Sequence, residues 1–170
     1  TPLTCRRQRQ MCIRDRFEEA AALFADASAV NPNDYQAPSF QSMALKELDR
    51  IEESVEASHH AYRAASKHLE MHPDDARALY LGASALVEIG EMEKAKTWAD
   101  RALDTDRHEP AVLYNVACVY SLIGDKDRGI ELLNEAIENG FGYRAWLEND
   151  NMLENLRDDP RFSDLLSRLD

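Results

Sequence analysis

The chain has 170 residues, 44% of them apolar and 31% charged, which is enough for one domain with a hydrophobic core and too apolar for a disordered tail. Its formal net charge of −12 removes the electrostatic case for nucleic acid or anionic membranes, which need clustered lysine and arginine, and leaves basic partners favoured. Six glycines and six prolines, against abundant alanine, leucine and glutamate, speak against a turn-rich β fold and predict an all-α protein.

The first sixteen residues differ in texture from the rest. The run Arg6-Arg7-Gln8-Arg9-Gln10-Met11-Cys12-Ile13-Arg14-Asp15-Arg16 resembles a translated transposase-based sequencing adapter. Residues 1–16 are therefore expected to be non-native, either disordered or a spurious extension of the first helix, with the natural protein continuing upstream of Phe17. Without Arg6, Arg7, Arg9, Arg14, Arg16 and Asp15, 15 Lys and Arg face 31 Asp and Glu, a formal −16. Cys5 and Cys12 leave with them, so Cys118 stands alone, and no cysteine spacing suggests a disulfide framework or a zinc site. No stretch nears the ~20 consecutive apolar residues of a membrane span and no apolar secretory core opens the chain, so a cytoplasmic location is expected.

Phe17, Ala20, Phe24, Ala27 and Pro32 have the spacing of the second helix of a pair with its closing proline, so residues 17–32 are expected to be half a repeat. Residues 35–48 are predicted as a first helix and 55–71 as a second, ending before Pro73. From Pro32 to Pro73 is forty-one residues. That exceeds the thirty-four-residue period of the following chain by seven, and the surplus near 49–54 is expected to add about two helical turns that project from the fold.

The period itself is explicit further on. Leu79, Ala83, Leu86, Gly90, Ala99, Ala102 and Leu103 recur thirty-four residues later as Leu113, Ala117, Tyr120, Gly124, Leu133, Ala136 and Ile137. Within each unit the apolar residues fall at i, i+3, i+4 and i+7 in two runs, so residues 76–107 and 110–140 each predict two helices. Gly90 and Gly124 stand between the runs, where a helix end calls for positive φ, and Asp125 follows as a cap.

This pattern resembles the tetratricopeptide repeat (TPR): a large residue, then Leu-Gly, Tyr, Ala, an aromatic, Ala and Pro. Gly82-Ala83 and Val116-Ala117 hold its small position, while Gly129 replaces the usual alanine of the second helix and Arg107 the closing proline. The resemblance implies an all-α solenoid of antiparallel helix pairs, a TPR superhelix over residues 17–142 with repeats 35–73, 76–107 and 110–140 after the half repeat.

From Gly140 the period is expected to stop. Residues 143–170 read as a C-terminal cap, with a short helix near 143–147 and a last one opened by Asp159-Pro160 that presents Phe162, Leu165, Leu166 and Leu169. The stretches 140–150 and 156–162 resemble the C-terminal ends of bacterial multidomain signalling proteins, in which TPR arrays follow a cyclase, Ser/Thr kinase, DNA-binding or TolB-like domain.

Candidate chemistry is sparse. His60, His68 and His72 share helical spacing, but no cysteine or carboxylate completes a metal set, and a solvated helix flank is the simpler reading. Cys118 has no Lys or His near it in sequence to lower its thiol pKa and reads as a small helix residue. GxGxxG, GxxxxGK[ST], HExxH and GxSxG motifs are absent. No catalytic residue, cofactor or metal ligand is assigned, and an enzyme is not expected.

The binding case has more to build on. In TPR stacks the first helices line a concave groove, which here places Arg77, Tyr80, Ser84 and Val87 from one repeat beside Ala111, Tyr114, Cys118 and Ser121 from the next, with Asn115 adjacent. Tyrosine and arginine are residue types that carry interface energy, although Tyr80 and Tyr114 could equally pack between helices. Asn115 matches an asparagine of chaperone-binding TPR carboxylate clamps, but the accompanying lysine positions are not basic. The expected function is a non-catalytic interaction scaffold for a protein or peptide. The alternative is a regulatory domain acting on an upstream cyclase or kinase domain of its own chain. Dimerisation through the half repeat at 17–32 is a further expectation.

Overall fold

The computed structural model describes residues 2–169, with the side chains of residues 13–169; the side chains of Cys5 and Cys12 lie outside that set. The described residues form helices and no strands: α1 (Pro2–Val30), α2 (Gln36–Glu47), α3 (Ile51–Met71), α4 (Ala76–Glu88), α5 (Met92–Thr105), α6 (Pro110–Ile123), α7 (Lys126–Glu138), α8 (Arg144–Asn149), a 3-10 helix η1 (Asn151–Leu156) and α9 (Pro160–Ser167). Consecutive helices from α1 to α7 pack on one another, and α2, α4 and α6 also pack side by side. The chain is an all-α solenoid of helix pairs, with α2, α4 and α6 as one layer.

Local chemistry sets the helix ends. The Asp75, Asp125 and Asp159 carboxylates accept the backbone N–H groups of Ala78, Arg128 and Arg161, and Pro110 and Pro160 open α6 and α9. At the end of α6 Gly124 takes φ 89, so the Asp125 N–H can reach the Tyr120 carbonyl and close the helix. Asp49 holds the matching place after α2 at φ 59, with Arg50 N–H on the Leu45 carbonyl.

The surplus seven residues lie inside α3, which has 21 residues against 14 in α5. They do not project. Ser54 is buried near the start of α3 and donates to the Ser42 carbonyl of α2 at 3.0 Å, while Ala57 joins Ala21, Ala44, Leu45 and Leu48 in a small core shared with α1. The small side chains let the helices approach closely, and the extra turns lie along the α1–α2 pair.

A larger core runs from Tyr35 through α3–α7 to Phe162 and Leu165. Its last part corrects the expectation that the period ends at Gly140. Leu147 stands thirty-four residues after Leu113 and is fully buried like it. Arg144 and Pro160 likewise open their helices thirty-four residues after Pro110 and Lys126. Asn155 donates to the Ser121 carbonyl at 2.8 Å and Arg161 to Asp127 at 2.7 Å, both pairs thirty-four residues apart. Residues 144–167 thus repeat the helix-pair plan in broken form: α8 and η1 share the first-helix place, interrupted at Asp150, and α9 takes the second.

Candidate binding groove

The layer of first helices brings residues of α2, α4, α6 and η1 onto one face. Arg77 donates through Nε to the Tyr80 hydroxyl and through Nη1 to Gln36 Oε1 of α2, each at 3.2 Å. The Tyr35 hydroxyl and His68 both meet Asp75 Oδ2, at 3.2 and 2.8 Å, and tie α2 and α3 to the start of α4. Burial raises the Asp75 carboxyl pKa, but the bonds from Ala78 N–H, His68 and Tyr35 outweigh it and hold the group below its ordinary range.

Of the nine groove residues expected from the sequence, Arg77 and Ala111 are exposed, Tyr80, Ser84 and Val87 are buried between helices, and Asn115 spends its amide on the Ala111 carbonyl at 2.7 Å. Tyr114, Cys118 and Ser121 are engaged by the chain itself. The Tyr114 ring stacks on Phe141 with centroids 4.4 Å apart, its hydroxyl donates to Asp150, Cys118 Sγ lies 3.9 Å from the same carboxylate, and Asn155 bonds Ser121. Burial, with Asp150 beside it, pushes the Cys118 thiol well above its ordinary value, the opposite of what a nucleophile needs. Burial also raises the Tyr114 phenol, assisted by Cys118 and Asp150.

Between these helices lies a cavity of about 110 Å³. Its walls are Met43, Leu81, Ala85, Leu122 and Met152 with Ser39, Ser42, Ser58 and Ser84; its rim carries Lys46, Glu47, Glu88 and Asn151. Lys46 pairs with Glu88, and Asn151 Nδ2 donates to Glu47 Oε1 at 2.6 Å, joining the broken first helix to α2 across the face. Of the residues read from the sequence, only Ser84 lines the cavity. The sequence reading missed the others, whose signal is register: Ser39, Met43, Lys46 and Glu47 stand forty-one residues before Tyr80, Ser84, Val87 and Glu88, and Met152 thirty-four after Cys118.

The histidines do not converge. His60 faces the Pro32 carbonyl at 3.2 Å, His68 binds Asp75, and the His72 ring lies tilted against that of His68 with centroids 4.7 Å apart; among the described residues no three His, Cys, Asp or Glu are grouped to hold a metal ion. Also among them, no helix is long and apolar enough to cross a membrane.

Residues 110–139, α6 with α7, match the tetratricopeptide repeat family. No curated protein matches the chain. Among solved structures, a crystal structure of MamA is similar at 16% identity, covering 94% of this chain and 90% of that one with a TM-score of 0.46. The MamA RS-1 ArsTM double mutant is similar at 17% identity, covering 97% and 94%, with the same TM-score of 0.46.

Proposed function

We propose that the chain is a non-catalytic TPR scaffold that holds a segment of a partner protein on the face formed by α2, α4, α6 and η1. The carrying observation is the cavity on that face, walled by residues at equivalent places in successive first helices and rimmed by charged groups. Stacked repeats present such extended surfaces because each unit repeats the same face. Arg77, Tyr80, Ser84, Val87, Ala111 and Asn115 are the sequence-derived residues assigned to contact the partner; Tyr114, Cys118 and Ser121 are assigned to hold the wall behind them. No feature of the fold favours the enzyme-regulating alternative over this reading.

Site-specific photo-crosslinking tests it. A benzophenone amino acid at Met43 or Asn115 should capture a discrete partner, and the same group at Thr97, exposed on α5, should not. Equal capture from all three positions would overturn the assignment.

A further inference from the structure

Resting on that reading, we propose that the cavity takes one apolar side chain, of leucine or methionine size, from a partner segment that carries lysine or arginine beside it, with Glu47 receiving the cation. Size is the first argument: at about 110 Å³ the cavity is somewhat smaller than the ~150 Å³ apolar cavity that accommodates a benzene, so it suits one side chain.

The walls supply the second. Ser39 and Ser84 donate to the Tyr35 and Tyr80 carbonyls of their own helices, and Ser42 is bonded to Ser54 and Ser58. The protons of Ser39 and Ser84 are thus committed within the protein, and Met43, Leu81, Ala85, Leu122 and Met152 make most of the wall apolar. A hydrogen-bond acceptor entering it would lose its water without finding a donor in return.

Charge at the mouth selects the neighbours of that side chain. Lys46 is neutralised by Glu88, whereas Glu47 accepts from the neutral amide of Asn151, so among the described residues the rim carries one negative charge with no cation on it. An incoming ammonium or guanidinium displaces the amide and makes a charge-assisted bond. The chain's −12 adds steering of the same sign. An acidic segment would meet Glu47 and Glu88 instead.

The test is a titration of the full chain followed by amide chemical shifts, using blocked seven-residue peptides in a glycine-serine frame: leucine flanked by two lysines, alanine flanked by two lysines, and leucine flanked by two glutamates. The lysine-leucine peptide should shift the amides of Leu81, Ala85 and Asn151. Replacing its leucine by alanine should weaken binding at least about tenfold, and Glu47→Gln several-fold, by the ordinary worth of a buried side chain and a charge-assisted pair. Equal binding of the glutamate peptide, no loss with Glu47→Gln, or no shift with any peptide would overturn the proposal. Ser84→Leu, checked for helical content, separates the two levels. If it abolishes binding of lysine and glutamate peptides alike, the groove stands and the charge selection falls; if peptides shift only exposed residues of α5 such as Thr97, the groove assignment falls with it.

Discussion

The Tyr114 hydroxyl donates to Asp150 Oδ2, and this contact pins the middle of α6 to the point where the last first-helix breaks into α8 and η1. Asp150 also caps η1 through the Met152 N–H at 2.9 Å, so one carboxylate serves both the break and the docking.

Tyr114→Phe should therefore destabilise the fold by about 1.5–3 kcal/mol, the worth of a hydrogen bond to a charged group. Tyr114→Ala, which also loses the stack on Phe141, should cost about 3–5 kcal/mol. Urea unfolding distinguishes them; equal losses would mean that the hydroxyl, and not the ring, carries the contact.

The helix pairs were legible because apolar period and end chemistry agree: Leu79 and Leu113 are buried at matching places, and Gly90 and Gly124 turn the chain at matching ends. The fourth pair was hidden. Its first helix is interrupted at Asp150, and Asp158 stands where the register of Gly90 and Gly124 calls for glycine, although Leu147, Leu156, Asp159 and Leu166 repeat Leu113, Leu122, Asp125 and Leu132. The groove was half legible for a related reason. Reading α4 and α6 alone gives Ser84 but not Met43 or Glu47, whose register is shifted by the seven residues added within α3.

Gly129 departs from the alanine of the repeat pattern because Leu156 of η1 presses on it: an added Cβ would lie 3.1 Å from Leu156 Cδ1 and 3.2 Å from Cδ2. Glycine within α7 sacrifices about 1 kcal/mol of helix propensity. Gly129→Ala should thus bring little or negative gain alone, yet stabilise by about 1 kcal/mol in a Leu156→Ala background where the contact is gone. A double-mutant cycle by chemical denaturation reads the coupling, and additivity would refute the contact.

Asp49 occupies the glycine place at the end of α2 with φ 59 and is exposed. An L side chain there carries steric strain that glycine avoids, offset in part by the greater freedom of glycine in the unfolded chain. Asp49→Gly should raise stability by about 0.5–1 kcal/mol, seen as a higher melting temperature. A lower one would place the strain elsewhere.

Asp75 gives the fold an acid-sensitive joint. Its carboxyl is held below the ordinary range in the folded chain, so its stabilisation is fully present above the unfolded carboxyl range near ~3.9 and is lost as pH falls through the folded value. Asparagine keeps an acceptor for Ala78 N–H but cannot titrate. The stability difference between wild type and Asp75→Asn should therefore shrink from pH 6 to pH 3; a difference independent of pH would deny the carboxylate its role.

Cys118 reports on the same closure that Tyr114 and Asp150 maintain. Its thiol is 1% exposed and burial pushes its pKa up, so a thiol reagent meets neither access nor thiolate in the closed chain. Reaction then requires opening, and the observed rate is the intrinsic rate scaled by the open population. In a Cys5→Ser, Cys12→Ser background, native Cys118 should react at least about 100-fold more slowly than the urea-unfolded chain, which corresponds to about 2.8 kcal/mol of opening free energy. Two openings are then separable. If η1 lifts from α6 locally, Tyr114→Phe weakens the latch and should speed labelling even where global unfolding is too rare to contribute. If only global unfolding exposes the thiol, labelling should instead track total stability, and Asp49→Gly should slow it by the full factor that its stabilisation predicts. The two variants thus decide whether the last, broken helix pair moves as a unit of its own.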